Sequence, residues 1–208
     1  IVIIYMTYII PQNRQRYRDI IRSKHAVKED EVLLLFVGSG FKRKGLKHVI
    51  AALSIIDSHK KVKLLVVGRG KARGYQRLAK EKGVLNRLIF AGLHKHIQEI
   101  YAAGDIFVFP SEYDAFGTAC LEAMASGLPV IVSNTSGVSE IITHGKDGFI
   151  INHPIDAKEI ANNIHVLLEK EPREQMGIDA RQKSEMYSFE ANVEKTLRIY
   201  KKVLNITI

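Results

Sequence analysis

Cysteine is nearly absent from this 208-residue chain, where Cys120 is the only one. A single thiol excludes a disulfide framework or a cysteine-built zinc site within the chain, and it fits a reducing compartment. Long apolar runs are missing as well. The apolar opening over residues 1–10 falls far short of the about 20 residues of a membrane-spanning helix. It has neither an initiator methionine nor the basic flank of a signal peptide, so the chain is expected to be a fragment with something upstream. Acids are in deficit, with 22 Asp and Glu against 31 Lys and Arg and a formal net charge of +9. That balance favours anionic partners, whether phosphate groups, a membrane surface or nucleic acid, and it also fits a solvated basic face with no partner. Repeats and low-complexity segments are absent. So are the two common phosphate motifs: Gly38-Ser39-Gly40 lacks the third glycine of GxGxxG, and Lys44 precedes Gly45 where GxxxxGK[ST] needs the reverse order.

What remains is globular in composition, 46% hydrophobic and 25% charged, and long enough to enclose a real core as one domain. The run Val32–Val37 is continuously apolar and ends in Gly38, as a parallel strand buried on both faces does. A helical pattern follows over 46–59, with Leu46, Val49, Ile50 and Leu53 on one face. The unit then repeats. Strands are expected over 62–67, 88–91, 106–109, 130–132 and 148–151. Helices are expected over 75–82 (stopped by Gly83), 97–103 and 117–126, with a helical turn over 138–143. Such alternation implies right-handed βαβ units and an α/β, Rossmann-like, doubly wound parallel sheet. Extra C-terminal helices follow over 155–170, 172–187 and 189–204, with Pro172 at a helix start and Asp156 and Ser188 as N-caps. Residues 14–22 read as a basic helix ahead of the first strand.

In an open α/β sheet, ligands bind outside the carboxyl ends of the strands. The strand-end turns are therefore read together: Gly38-Ser39-Gly40-Phe41-Lys42-Arg43-Lys44-Gly45, Gly68-Arg69-Gly70-Lys71, Gly92-Leu93-His94, and 111–118. Three of them set glycines beside basic residues. Glycine lets the backbone approach a ligand closely, and helix N-termini offer unpaired N–H groups that suit phosphate. Lys44 supplies a point charge and Arg43 a planar fork for the same anion. Glycine at a strand end is also a plain turn requirement. The last turn carries Glu112 and Asp114, then Phe116-Gly117-Thr118 opens a helix that holds Glu122. Amides at that helix start would hold an anion. Asp114 and Glu122, on either side, would accept bonds from vicinal hydroxyls. An anionic centre between two polyols describes a nucleotide-sugar. The plainer alternative makes Glu122 a first-turn dipole partner and Asp114 a solubilising loop acid.

The stretch PSEYDAFGTACLEAMASGLPV, with seven residues between Asp114 and Glu122, resembles the acid-x7-Glu motif of retaining GT-B glycosyltransferases of family 4. Phe36-Val37-Gly38 with Lys44-Gly45 resembles that family's first phosphate loop. Val66-Val67-Gly68-x-Gly70 and Phe90-Ala91-Gly92 resemble its nucleotide-binding turns, and Gly137-Val138-Ser139-Glu140 and Gly145-Lys146-Asp147-Gly148-Phe149 its closing motifs. The likeness is strong over about residues 30–155 and looser in the tail. FVGSGFKRKG, VVGRGKARGYQRLAKEKGV and RYRDIIRSKHAVKEDEVLLL extend it to a narrower group, the lipopolysaccharide core glucosyltransferase I type, which transfers glucose from UDP-glucose to a heptose of the inner core.

The family has two Rossmann-like domains, and this chain resembles the C-terminal, donor-binding one. The resemblance thus implies a linker remnant and basic helix over 1–30, a nucleotide-sugar domain over 31–188, and a helix over 189–208 that crosses back to an N-terminal acceptor domain absent from this chain. Such a half is not expected to turn over alone. By the same resemblance, Arg43 and Lys44 neutralise the diphosphate and stabilise the leaving UDP, with Gly38 and Gly40 in the phosphate loop. Asp114 binds donor-sugar hydroxyls and Glu122 the ribose. Amides of Phe116, Gly117 and Thr118 touch sugar or phosphate, and Arg69 with the Gly92-Leu93 turn lies near the uracil. Neither metal nor cofactor is implied, because the basic pair does the work of a cation.

The expected partners are a UDP-sugar donor and, through the missing domain, a glycan or lipid-linked acceptor. The expected location is cytoplasmic, with a peripheral contact to the inner face of the membrane where Arg14, Arg16, Arg18, Arg22 and Lys24 could touch acidic lipid. No basic patch interleaved with stacking aromatics points to nucleic acid. Two departures stand out. The first acid of the motif is usually Glu and here is Asp114, with Glu112 as a nearby competitor. Ser39 stands where many members carry Arg, a role Arg43 would take over. An epimerase or phosphorylase of similar fold, or a basic membrane-surface module, are the alternatives. His94-x-His96 reads as a solvated loop and Cys120 as a packing residue.

Overall fold

The computed structural model describes residues 11–187 and 189–204. Six strands, β1 (Val32–Val37), β2 (Val62–Val67), β3 (Leu88–Gly92), β4 (Ile106–Phe109), β5 (Val130–Ser133) and β6 (Phe149–Ile151), form one parallel sheet in the order β3-β2-β1-β4-β5-β6. The helices among the described residues are α1 (Pro11–Lys24), α2 (Leu46–Ile55), α3 (Ala72–Glu81), α4 (Ile97–Ala103), α5 (Thr118–Ala125), α6 (Ala157–Leu168), α7 (Lys170–Glu185) and α8 (Phe189–Val203).

Successive side chains of a strand point to opposite faces, and β1 feeds two cores in turn. Leu33 and Leu35 join Ile21 of α1, Tyr101 of α4, Met124 of α5 and Ala180 of α7 on one face. Leu34 and Phe36 join Leu53 of α2, Ala79 of α3 and Ile160 of α6 on the other. Both faces being covered explains why the strand is a continuous apolar run rather than an alternating one. From β1 the chain winds outward to β3, then returns through α4 to β4 on the other side of β1. That reversal leaves a crevice beyond the carboxyl ends of β1 and β4, the topological switch point where ligands of such sheets bind.

Several boundaries differ from the sequence expectation for local reasons. Helix α2 stops at Ile55 instead of running to residue 59, because Ile56 is extended and the Asp57 carboxylate accepts from the His59 N–H at 2.9 Å. Helix α3 starts at Ala72, three residues early. The turn expected over 138–143 is a 3-10 helix at Gly137–Ile141. Asp156 caps α6 as expected, accepting from Lys158 N at 2.9 Å. Pro172 is the third residue of α7 rather than the first, still within the turn whose N–H groups lack helical partners. Ser188 lies outside the described residues.

The basic helix α1 also differs. Arg22 is buried, and its guanidinium donates to Ala103 O, Asp105 Oδ2, Lys28 O and Glu31 O. Arg18 donates to Asp105 Oδ1 at 2.9 Å and Ala103 O at 3.1 Å. Two of the side chains expected to face lipid therefore turn inward and hold α1 to the start of β4. No helix among the described residues is long and apolar enough to cross a membrane.

Candidate functional site

The site is built where the β1–α2 turn meets the β4–α5 turn. Gly45 joins them. Its φ is +77°, and a Cβ there would lie 1.8 Å from the Pro110 carbonyl oxygen, so only glycine lets the two turns touch. Lys44 precedes it and crosses the Phe109 ring, with Nζ 4.5 Å from the centroid, to pair with the Asp114 carboxylate. Arg43 Nη1 donates to Asp114 Oδ2 at 3.1 Å and to Tyr113 O at 2.9 Å. Asp114 Oδ1 accepts from Phe116 N at 3.3 Å, at the mouth of α5. Two cations, one acid and a helix-mouth amide thus meet at the switch point. The Lys44 and Asp114 side chains are each 12% exposed and Arg43 51%. Burial alone would raise the Asp114 pKa. The bonds and charges of Lys44 and Arg43 outweigh it and hold the carboxyl below its ordinary value.

The acid loop is clamped from the far side by Gly137 of the closing motif and by Ser133 and Thr135, which carry no motif. Asp114 N donates to Thr135 O at 3.3 Å, and Gly137 N returns a bond to Asp114 O at 3.1 Å. The Ser133 and Thr135 hydroxyls both donate to Ser111 O at 2.6 Å. Gly137-Val138-Ser139-Glu140 therefore acts here as a brace for Asp114. Gly117 caps α5 in the left-handed region, φ +91°, where an added Cβ would meet the Ser136 hydroxyl at 2.8 Å. Helix α5 starts with no side-chain cap and no acid in its first turn; Cys120 N turns back to Gly117 O at 2.8 Å, and no capping side chain takes the N–H groups of Thr118 and Ala119.

Glu122 is the fifth residue of α5, past the first turn, so the dipole-partner alternative does not describe it. It turns toward α4, where the Tyr101 hydroxyl donates to Oε2 at 2.7 Å and lies 3.1 Å from Ala119 O. Burial raises the Glu122 pKa against the opposing effect of the Tyr101 bond. Tyr101 is fully buried, and burial beside the Glu122 charge raises its own pKa well above ordinary. No local sequence signal marks it, since a tyrosine inside a helix reads as core.

The remaining turns line up along the sheet edge. Gly38 N donates to Val67 O at 2.9 Å and Gly68 N to Gly92 O at 2.8 Å, while Gly40 N reaches Arg69 O at 3.1 Å. Ser39 Oγ accepts from Arg69 N at 3.2 Å. Arg69 and Leu93 are exposed on this rim, two and three strands from β4. Glu112 diverges from Asp114. It takes His48 Nε2 at 2.8 Å and Lys47 Nζ at 3.1 Å on α2, and those two bonds hold its pKa down. His94 is not a solvated loop residue: its Nε2 lies 2.9 Å from Glu99 Oε2 with the side chain 16% exposed. Cys120 is buried among apolar neighbours, which pushes its thiol pKa far up and leaves it a packing group. Among the described residues, no group of three or more His, Cys, Asp or Glu is placed to hold a metal ion.

Residues 17–183 match the sequence profile of the family described as glycosyl transferases group 1. The chain belongs to that family. Among its relatives is the uncharacterized glycosyltransferase MJ1607 of Methanocaldococcus jannaschii, 34% identical over 185 residues, which are 86% of this chain and 47% of that protein. The lipopolysaccharide glucosyltransferase WaaG of Escherichia coli is 32% identical over 165 residues, 78% of this chain and 43% of that protein. A crystal structure of WaaG superposes with a TM-score of 0.80 at 29% identity, over 90% of this chain and 53% of that one. HepE of Anabaena, solved with UDP-glucose, agrees in fold, with a TM-score of 0.80 at 22% identity over 99% of this chain and 56% of that one. The chain spans about half the length of the curated relatives it matches. Its six-stranded parallel sheet with helices on both faces is the Rossmann-like fold of GT-B members of the family.

Proposed function

We propose that this chain is the donor-binding domain of a retaining glycosyltransferase and that its donor is a UDP-sugar, UDP-glucose in first place. The observation that carries this reading is the convergence of Arg43, Lys44, Asp114 and the uncapped start of α5 on the β1/β4 crevice. A diphosphate laid there would meet the first N–H groups of α5 and both cations. As it draws Arg43 and Lys44 to itself, Asp114 is released to accept bonds from the sugar hydroxyls. During transfer the bond from the sugar's anomeric carbon to the diphosphate oxygen breaks, and negative charge grows on the leaving UDP. Arg43 and Lys44 stabilise that charge, which acts on the barrier and not only on binding. No metal enters this scheme.

Glu122, held by Tyr101, would take the ribose hydroxyls, and Arg69, Gly92 and Leu93 would rim the uracil. HepE was solved with UDP-glucose, and WaaG is named a glucosyltransferase. The first supports a uridine donor carrying glucose, and the second supports glucose. The acceptor would be a glycan or lipid-linked sugar held by a second domain of a longer protein, acting at the cytoplasmic face of the membrane. Val193, Leu197, Tyr200 and Leu204 of the α8 segment form an exposed stripe at helical spacing, which suits a covering domain.

Calorimetric titration of the chain with UDP, UDP-glucose, GDP-mannose and ADP-glucose tests the reading. Uridine nucleotides alone should bind, and Glu122→Ala should weaken them about tenfold, the equivalent of ~1.4 kcal/mol. Equal affinity for all bases, or affinity indifferent to Glu122→Ala, would contradict the donor assignment.

A further inference from the structure

Residues Gly104-Asp105 lead into β4 and Gly127-Leu128-Pro129 into β5, so both turns lie at the amino ends of the strands, the pole opposite the donor crevice. Together with α1 and α7 they line a second cleft of about 910 Å3, a size in the range of small-molecule sites. Its charge is unbalanced. Arg14, Arg18, Lys170, Arg173 and Arg181 line it, against Glu29, Asp105 and Glu174.

Those acids are largely committed. Asp105 already receives Arg18 at 2.9 Å, Arg22 at 3.2 Å and the Leu33 N–H at 2.7 Å. Glu174 lies 3.8 Å from Lys170. Glu29 is 77% exposed and comes no nearer than 3.9 Å to Arg18 and 4.0 Å to Arg22. Arg14 is left over. It makes no hydrogen bond or ion pair to any described residue, although it is half-buried against the Gly127 turn, where an added Cβ would lie 3.5 Å from its Nη1. Burial lowers the Arg14 pKa most and the charge of Arg18 lowers it further; the nearby Asp105 charge opposes them, and Arg181 adds a smaller lowering effect. Arg181 reaches only Glu185, at 4.0 Å, and Arg173 uses Nη1 on the Leu167 and Leu168 carbonyls. A partly desolvated guanidinium without a protein acceptor keeps donors that an anion in the cleft would take up. The fork geometry of several arginines suits phosphate oxygens.

We propose that this cleft binds a phosphate-bearing ligand between α1 and α7, with Arg14 and Arg181 as its main contacts. The site is separate from the donor crevice, and nothing in it depends on the donor reading. A soluble phosphate compound and a phospholipid headgroup present the same chemistry, and the experiment separates them.

The 208-residue chain carrying Arg43→Ala and Lys44→Ala, which removes the two cations assigned to the donor diphosphate, is titrated with pyrophosphate. It should still bind, and adding Arg14→Ala should weaken binding at least tenfold while Arg14→Lys restores part of it. In parallel, flotation with vesicles of phosphatidylglycerol or phosphatidylcholine reads the lipid source. Capture by phosphatidylglycerol alone, lost on Arg14→Ala, supports the same site with a headgroup as ligand. Should Arg14→Ala fail to fold, Arg181→Ala makes the same test from the other wall. The proposal is overturned if folded protein binds neither pyrophosphate nor anionic vesicles, or binds them with an affinity that Arg14 and Arg181 substitutions leave unchanged.

Discussion

Asp114 is paired with the two cations that the proposed mechanism assigns to the diphosphate. Replacing its charge should therefore separate phosphate binding from sugar recognition. Asp114→Asn keeps the acceptor for Phe116 N but removes the competing anion. UDP is expected to bind several-fold more tightly to it, while the gain from the glucosyl group of UDP-glucose shrinks; calorimetry of both ligands checks this. The same residue has a pH signature. A carboxyl held below its ordinary pKa in the folded state stabilises fully above the unfolded value, and that stability is lost as the pH falls through the folded value. Thermal unfolding of Asp114→Asn should accordingly show a shallower loss of stability on the acid side than the parent chain.

Glu122 behaves with the opposite sign. Burial raises its pKa, so the folded state holds its proton more tightly and stability falls as the pH rises above the ordinary glutamate value. Glu122→Gln is expected to keep or raise the melting temperature at neutral pH while weakening UDP, a functional acid retained at some cost in stability. Tyr101→Phe should leave binding of pyrophosphate unchanged and weaken UDP, because only Glu122, the proposed ribose partner, loses its anchor. Asp114 and Glu122 themselves were legible as a spaced pair of acids. Their supports were not. Tyr101 meets Glu122 across 21 residues of sequence, and Arg18 and Arg22 meet Asp105 across 87 and 83. Such partners are set by how α4 and α1 pack, which no local pattern records. The choice between Glu112 and Asp114 was open for the same reason, until His48 and Lys47 of α2 settled where Glu112 turns.

At the scale of elements, the turns decide the site. Gly45→Ala must place a Cβ on the Pro110 carbonyl from a left-handed backbone. It should destabilise the chain by ~2 kcal/mol or more and displace Lys44, so both the melting temperature and UDP affinity should fall. The strands were legible because continuous apolar runs ending in glycine have few alternatives in a βαβ pattern. Helix ends were less so. Asp57 stops α2 by bonding the His59 N–H, a choice between turn and helix that residue type alone leaves open. On α8, Leu197→Ser removes an exposed apolar group. The melting temperature of this chain should barely move, as for most surface changes, whereas a longer protein with a covering domain should lose stability.

For the molecule as a whole, the strand order reverses between β1 and β4, and that reversal brings the Arg43-Lys44 turn to Asp114 from 70 residues away. Alternating strands and helices predicted the class of sheet, and the crevice followed from the class. The second cleft at the opposite pole did not follow, because its arginines are spread over α1 and α7 and look like ordinary surface charge in one dimension. The central claim is that the crevice binds the diphosphate of a nucleotide through Lys44 and its neighbours. Calorimetric titration of UDP into the parent chain and into Lys44→Ala tests it most directly. The account predicts binding to the parent that Lys44→Ala weakens at least tenfold in a still-folded protein. Folded parent chain that binds no UDP, or a Lys44→Ala variant that binds it equally well, would contradict it.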